Sequence, residues 1–346
     1  MWHAGAGHVI IAASQRQHTA PLFWGRPGRD SPLSTQKRPL FARGPVLFLG
    51  ALLSCALWGS AIPCIKLSYD LFGIDTGNPG ALLLFAGLRF ALAGALVLLA
   101  GCALERRPLL PGKGDWPSIL KVSLFQTVLQ YLCYYLALRH TSGVAASILV
   151  GSNSFFAILI AALCFRMERL TAAKLAGCIV GFAGVVVSQL GSGAGGFSFT
   201  LQGEGLILLS ALSAAVSATL IRRYSARVSP VLLSGWQFLL GGAALALAGW
   251  AMGGRWAASS PAAVGMLIYL ALVSAVAYTL WSCLLKHNPV SRVTIFGFLT
   301  PVFGVVLSAL LLSEGGALGW SALGALVLVC AGILLVNRPA GSAAEQ

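Results

Sequence analysis

The chain has 346 residues, of which 58% are hydrophobic and only 9% are charged. A soluble domain carries roughly 25% charged residues, so this composition excludes a soluble globular protein. Because a helix needs about 20 apolar residues to cross a bilayer, the composition predicts an integral membrane protein with helical spans. The formal net charge of +14 therefore has to be placed along the chain before it is taken to indicate a nucleic-acid partner.

The first segment, residues 1–44, differs from the rest of the chain. It is polar and basic, and its one apolar patch, HVIIAA, is too short for the apolar region of a signal peptide. We interpret it as a basic, disordered tail. The alternative is that the reading frame starts too far upstream.

Ten membrane-spanning helices are predicted from the apolar runs that follow. Turn-forming stretches such as DTGNPG, ERRPLLPGKGD and GSGAGGFS separate these runs. The predicted spans are 45–66, 80–103, 117–138, 142–164, 171–190, 204–222, 229–251, 261–284, 289–312 and 317–336.

The basic residues predict the orientation of these spans. With the N terminus in the cytoplasm, nineteen of the 23 Lys and Arg residues fall in cytoplasmic loops, helix ends or tails. Only Lys66, Arg139 and Arg255 fall outside, and Arg89 lies within a span. Cytoplasmic loops of membrane proteins are enriched in Lys and Arg. The charge therefore indicates a multi-pass protein of the cytoplasmic (inner) membrane with both termini inside, and no nucleic-acid partner.

The two halves of the chain resemble each other. Five spans precede the loop at 191–203 and five follow it, so the second half would enter the membrane inverted relative to the first. Such inverted repeats are typical of carriers. We predict an all-α integral membrane protein with ten transmembrane helices, arranged as two inverted five-helix repeats around a central cavity. The matching stretches are YLCYYLALRH (131–140) with YTLWSCLLKH (278–287), LLSCALWGSAIPCIK (52–66) with LLSALSAAVSATLIR (208–222), and LRFALAGALVL (88–98) with WQFLLGGAALAL (236–247).

Several motifs resemble those of a known family. LWGSAIPCIKL, ALRHTSGVAASIL, LCFRMERLT and FLTPVFGVVLSALLLSEG, in this order, are similar to the EamA-type ten-helix carriers of the drug/metabolite transporter superfamily. The resemblance implies EamA-like repeats at 45–190 and 203–337, with tails at 1–44 and 338–346. It also implies transport of a small molecule by alternating access, with amino acids, other metabolites and drugs among the substrates of the family. One departure is GSNSFF (151–156), where such proteins usually have a Pro aligned with Pro301.

Polar and aromatic side chains on one helix face predict the lining of the cavity. In the third span Gln126, Gln130 and Tyr134 follow each other at intervals of four residues and share one face. The eighth span has a matching face. For the aromatic residues the alternative is the belt at the membrane interface. The predicted substrate contacts on these two spans are Gln126, Gln130, Tyr131, Tyr278 and Trp281.

Arg89 is the one charged residue near the middle of a span. Insertion scales assign such a residue a cost of about 2.5–3.5 kcal/mol. It is predicted to bind a carboxylate or another anionic group of the substrate, together with Gln237 at the equivalent position of the second repeat. The alternatives are a structural hydrogen bond to backbone carbonyls and a side chain that reaches the interface.

The fourth and ninth spans supply Asn153, Ser154 and Thr300 as further predicted substrate contacts. Hydrogen bonding between helices is the alternative for these side chains. Trp58 and Ser60 of the first span are weaker candidates, with packing as the alternative.

No cofactor and no metal are predicted. No GxxxxGK[ST] loop occurs, so nothing indicates ATP-driven pumping. No Asp or Glu lies deep in a predicted span, which favours exchange or facilitated diffusion over proton coupling through Glu204 or Glu314. The expected partners are a small-molecule substrate and the lipid bilayer.

The sequence therefore favours a secondary transporter for a small metabolite or drug, with efflux as the expected direction, over an enzyme. A flippase for a lipid or a lipid-linked substrate is the main alternative, followed by an intramembrane enzyme and a sensor. A stripe of small residues at Gly177, Gly181, Gly184 and Ser188 permits close helix contact. The contact is either within the bundle or with a second copy in a homodimer.

Overall fold

The computed structural model describes residues 39–137, 140, 143–190, 199–255, 260–311 and 320–337. Every regular element within these ranges is a helix, which confirms the prediction of an all-helical chain. The predictions for the N-terminal segment before residue 39, for Arg139, for Glu314 and for the C-terminal tail lie outside the described residues.

After a short 3₁₀ helix at Leu40–Ala42, the first half contains six α-helices and two π-helical segments. Its first α-helix extends to residue 72, beyond the predicted end at 66. The third predicted span is interrupted by a π-helical segment, and the fourth ends in one. The elements are α1 Gly44–Phe72, α2 Pro79–Glu105, α3 Trp116–Val122, the π segment Ser123–Leu129, α4 Gln130–Ala137, α5 Gly143–Leu159, the π segment Ile160–Cys164 and α6 Ala172–Leu190.

The second half has the same kind of order. A π segment precedes its first long helix, and a 3₁₀ segment interrupts the helical stretch that begins at Val290. The elements are the π segment Leu201–Gly205, α7 Leu206–Tyr224, α8 Pro230–Ala251, α9 Pro261–His287, α10 Val290–Thr294, the 3₁₀ segment Ile295–Phe298, α11 Leu299–Leu311 and α12 Trp320–Asn337.

Local sequence explains where these helices begin and end. The Asn78 side chain accepts hydrogen bonds from the backbone N–H groups of Gly80 and Ala81, and Pro79 occupies the first helical position of α2. Helix α1 ends at Phe72 and is capped by Gly73, whose φ of 59° lies in the left-handed region that glycine adopts without strain.

Five helices of the described chain are long and apolar enough to cross a membrane: Gly44–Phe72, Pro79–Glu105, Leu201–Tyr224, Pro230–Ala251 and Pro261–His287. Four shorter apolar helices, Leu149–Cys164, Ala172–Val187, Val290–Gly304 and Leu323–Asn337, accompany them. A chain with this many long apolar helices is a multi-pass membrane protein.

Helices α2 and α8 pack closely along each other through glycines. A Cβ atom on Gly94 would lie 2.4 Å from the backbone N of Leu239, and one on Gly242 would lie 2.2 Å from the backbone N of Ala91. Such distances leave no room for a side chain, so both positions require glycine.

The predicted small-residue stripe of α6 packs within the chain. A Cβ atom on Gly177 would meet the carbonyl oxygen of Gly332 at 2.8 Å, and one on Gly184 would meet that of Ala325 at 2.8 Å. The stripe therefore serves the contact between α6 and α12, one of the two alternatives that its sequence left open.

Side chains of neighbouring helices satisfy backbone groups near the interruptions. Ser213 Oγ donates to the carbonyl of Phe125 at 2.7 Å, inside the π segment that precedes α4. Ser154 Oγ donates to the carbonyl of Thr294 at 2.6 Å, where α10 gives way to the 3₁₀ segment. Backbone carbonyls that irregular turns release inside an apolar bundle need such partners. The interruptions thus create polar contacts in the middle of the bundle.

Candidate functional site

A cavity of about 260 Å³ lies among α1, α2, α4, α5, α7, α9, α10, α11 and the irregular segments beside them. Nine of the ten predicted substrate contacts line it. These nine are Arg89, Gln126, Gln130, Tyr131, Asn153, Ser154, Tyr278, Trp281 and Thr300.

The tenth, Gln237, is not among the lining residues. Its side chain is completely buried, and its Oε1 accepts a hydrogen bond from Thr127 Oγ1 at 2.7 Å. The structure therefore places Gln237 in a contact between α8 and the π segment Ser123–Leu129, whereas its repeat equivalent Arg89 lines the cavity.

The lining positions come in pairs from the two halves of the chain. The alignment of the matching stretches pairs Trp58 with Ala214 and Tyr131 with Tyr278. The same spacing as for the tyrosines pairs Asn153 with Thr300. Both members of each of these pairs line the cavity. The side chains that surround the cavity are therefore supplied by corresponding positions of both halves.

Arg89 is the charged residue of the cavity lining. It is only 4% exposed, and its Nε is buried without a hydrogen-bond partner. Its guanidinium carbon lies 4.4 Å from the centroid of the Phe90 ring. The ion pairs within the described ranges are Arg107–Glu105 and Lys174–Glu168, so no described carboxylate neutralises Arg89. A buried cation of this kind attracts an anionic group strongly.

Four rings, which we call the aromatic square, lie beside Arg89: Phe90, Tyr131, Phe238 and Tyr278. The hydroxyl oxygens of Tyr131 and Tyr278 are 2.5 Å apart and share a hydrogen bond. Phe90 stacks on Phe238 with centroids 5.3 Å apart and an interplanar angle of 7°. In each of these two contacts a residue of one half meets its equivalent in the other half. The remaining sides of the square, Phe90–Tyr131 and Phe238–Tyr278, measure 4.4 and 5.0 Å.

A second aromatic group forms another wall of the cavity. The Trp58 ring lies 4.8 Å from that of Tyr278 and 4.9 Å from that of Trp281, both in edge-on geometry. The indole Nε1 of Trp58 is buried without a hydrogen-bond partner. This wall offers flat apolar surfaces to a solute and contains one buried donor without a partner among the described residues. The weaker candidate Ser60 is not among the lining residues, and its hydroxyl bonds Tyr269 at 2.8 Å.

The polar residues of α5 differ in what they leave free. The Ser154 hydroxyl is occupied by the carbonyl of Thr294, whereas Asn153 Oδ1 is buried without a hydrogen-bond partner. Asn153 therefore presents an unsatisfied acceptor in the cavity wall. A buried acceptor of this kind favours a solute that carries an N–H or O–H donor.

Sequence reasoning missed several lining residues, among them Ser210, Ser217 and Thr294. Ser210 Oγ donates to the carbonyl of Gln130 at 2.8 Å, and Ser217 Oγ donates to that of Ala214 at 2.7 Å. Ser217 aligns with Ala61 of α1, which also lines the cavity, but neither position was distinguished in the sequence from other small residues of these helices.

Apolar helices around a cavity whose lining includes several polar side chains are the arrangement expected of a membrane transport protein. The EamA-like transporter family matches residues 46–189 and 201–338. The chain belongs to this family, which confirms the resemblance to EamA-type carriers of the drug/metabolite transporter superfamily. It is a transporter and not an enzyme.

Named relatives agree with this membership. An uncharacterized transporter of Archaeoglobus fulgidus is 26% identical over 299 residues, which cover 83% of this chain and 96% of that protein. A probable terminal-alkyne amino-acid exporter of Streptantibioticus cattleyicolor is 27% identical over 305 residues, which cover 83% and 92% of the two proteins. A solved crystal structure superimposes with a TM-score of 0.69 at 23% identity, covering 84% of this chain and 96% of the other. This last likeness concerns the fold alone.

Proposed function

We propose that the protein is a secondary carrier that exports a small solute with an anionic group across the cytoplasmic membrane by alternating access. The observation that carries this proposal is Arg89, a buried cation in the cavity wall that pairs with no carboxylate of the described residues. A structural arginine would be expected to have a partner, because an unpaired buried charge is costly. A solute carboxylate would supply that partner during transport.

The proposed architecture is ten spans in two inverted halves, 45–190 and 203–337, flanked by tails at 1–44 and 338–346. Support comes from contacts that repeat across the halves. Ser54 Oγ donates to the carbonyl of Ala277 at 3.3 Å, and its equivalent Ser210 donates to that of Gln130, which aligns with Ala277, at 2.8 Å. In the aromatic square, too, residues of one half contact their equivalents in the other half, Tyr131 with Tyr278 and Phe90 with Phe238. Such a pattern is expected when a two-fold pseudo-symmetry axis relates the halves.

An inverted repeat provides a mechanism for transport. If the two halves exchange conformations, the cavity opens to the opposite side of the membrane without a change in the solute site. The distribution of Lys and Arg supports cytoplasmic positions for both termini. Reporter fusions to both ends would test this orientation.

The lining residues have separate roles in this proposal. Arg89 holds the anionic group, Asn153 accepts a hydrogen bond from a donor of the solute, and Trp58, Tyr278 and Trp281 surround its apolar part. The polar wall is completed by Gln126, Gln130, Tyr131, Ser154 and Thr300. Gln237 acts through its bond to Thr127 and positions α8 rather than the solute.

An amino-acid-like solute fits these roles, since it combines a carboxylate, an N–H donor and an apolar side chain. One relative is named as a probable amino-acid exporter, which supports this class. Exchange or facilitated diffusion is the proposed energetic mode.

Three matched solutes test the proposal: phenylalanine, phenethylamine, which lacks the carboxylate, and 3-phenylpropionate, which lacks the amine. The measurement is stabilisation of the purified protein against heat, followed by counterflow in liposomes. We expect the strongest effect from phenylalanine, a weaker one from phenylpropionate and the weakest from phenethylamine. Equal or stronger binding of the amine would overturn the role of Arg89, because the cation would then repel the preferred solute.

A further inference from the structure

The segment that joins α9 to α10, residues 286–291, is tied to three separate parts of the bundle. Arg222 at the end of α7 donates to the carbonyl of Lys286. Asn288 Nδ2 donates to the carbonyl of Phe41, just before α1, at 2.8 Å. Ser291 contacts Glu168, which lies between α5 and α6. One short turn therefore holds together the ends of helices from both halves.

The Glu168 contact has the geometry of a strong, oriented interaction. The Glu168 side chain is only 8% exposed, and its Oε2 accepts from Lys174 Nζ at 2.7 Å. The backbone N–H of Ser291 donates to Glu168 Oε1 at 3.1 Å, and the Ser291 hydroxyl donates to Oε2. Hydrogen bonds to a carboxylate are about twice as strong as neutral ones. Lys174 neutralises the carboxylate and also orients it toward Ser291.

This contact lies one helical turn away from the cavity. Ser291 is fully buried and precedes Thr294 by three residues on α10. Thr294 lines the cavity, and its carbonyl receives the hydrogen bond of Ser154. Helix α10 is thus joined to the first half at two successive levels, to α5 at the cavity wall and to the segment before α6 just beyond it. Separation of the halves at this end requires the Glu168–Ser291 contact to break.

We propose that the Glu168–Ser291 contact is a latch that closes the cytoplasmic end of the cavity and opens once in each transport cycle. The proposal rests on the alternating-access function and the orientation proposed above. Tyr131 and Tyr278 are equivalent residues of the two halves, so their contact lies on the pseudo-symmetry axis and is present in both conformations. Glu168 and Ser291 are not equivalent residues, so their contact lies off that axis and is present in one conformation only. Because Lys174 is in the same half as Glu168, it keeps the carboxylate paired while the latch is open.

The test measures access to the cavity from the cytoplasmic side. An Ala214→Cys substitution places a thiol in the cavity wall, and a membrane-impermeant maleimide labels it in inside-out vesicles, with the chain that lacks this cysteine as background. Loss of a hydrogen bond to a charged group shifts a two-state equilibrium by roughly tenfold. We therefore expect Glu168→Gln to label roughly tenfold faster and Ser291→Ala to label faster by a smaller factor.

The matched control is Glu105→Gln. Glu105 forms an exposed pair with Arg107 on the same side of the proposed bundle, and removal of its charge is expected to leave labelling unchanged. Labelling of Glu168→Gln and Ser291→Ala at the parental rate would overturn the latch, as would equal acceleration from both sides of the membrane. If Glu168→Gln fails to insert, Ser291→Ala decides by the same criterion. Labelling needs no solute, so its outcome is independent of the solute-binding test.

Discussion

Replacement of Arg89 by Gln separates a solute-binding arginine from a structural one. The substitution removes the charge, replaces the guanidinium by a shorter neutral amide and introduces the residue that the second repeat has at Gln237. The Arg89 Nε has no hydrogen-bond partner, so the substitution removes no hydrogen bond of that atom and mainly loses the contact of the guanidinium with the Phe90 ring. A buried cation without a counter-charge destabilises the folded chain. We therefore expect Arg89→Gln to leave thermal stability without solute unchanged or to raise it.

The effect on solute binding is expected to be large. A hydrogen bond to a charged group contributes about 1.5–3 kcal/mol, and each 1.4 kcal/mol corresponds to about tenfold in affinity. Arg89→Gln should therefore weaken binding of a carboxylate solute by roughly 10- to 150-fold. Binding of an amine without a carboxylate should not weaken.

The assay is isothermal titration or solute-induced thermal stabilisation of the purified variant, with Arg89→Lys as the matched variant that keeps the charge. Partial retention of carboxylate binding by Arg89→Lys is expected. A clear loss of stability in Arg89→Gln without solute, together with unchanged carboxylate affinity, would refute the reasoning. Arg89 would then have a structural role in the bundle.

Three further changes test the packing and the orientation. Gly242→Ala places a methyl group 2.2 Å from a backbone nitrogen. We expect it to lower the free energy of unfolding by about 1–3 kcal/mol, measured by thermal unfolding. The control is Gly265→Ala, which has open space around it and should leave the stability unchanged. Tyr131→Phe and Tyr278→Phe remove the same hydrogen bond. The double variant should therefore lose no more free energy of unfolding than the less stable single variant. The coupling energy between the two substitutions should be about 0.5–1.5 kcal/mol. Additive costs would contradict a shared bond. Reporter fusions at both termini should report cytoplasmic positions, and an external C terminus would contradict the proposed ten spans.

Much of the cavity could be predicted from one-dimensional patterns. Gln126 and Gln130 lie on one face of a predicted helix, and the repeat predicts the matching face with Tyr278 and Trp281 in the second half. These residues line the cavity because an amphipathic face in an otherwise apolar helix has to be buried against other polar groups.

The outcome at Gln237 could not be predicted in this way. Arg89 and Gln237 occupy equivalent positions of the repeat, yet only Arg89 lines the cavity. The difference depends on Thr127, which is 110 residues away from Gln237 in the chain and binds its amide. Ser154 shows the same limit, since its hydroxyl is taken by the carbonyl of a residue 140 positions later.

The sequence by itself determined that the chain is a helical membrane protein with a duplicated pattern of polar faces. These properties follow from local hydrophobicity and periodicity. Only the tertiary structure decided which polar groups are satisfied by the protein and which remain free in the cavity wall. Hydrogen-bond partners in a helical bundle come from packing between distant segments, as in the contact of Glu168 with Ser291 across 123 positions. Such pairings depend on how the helices cross, and no local pattern of residues contains that information.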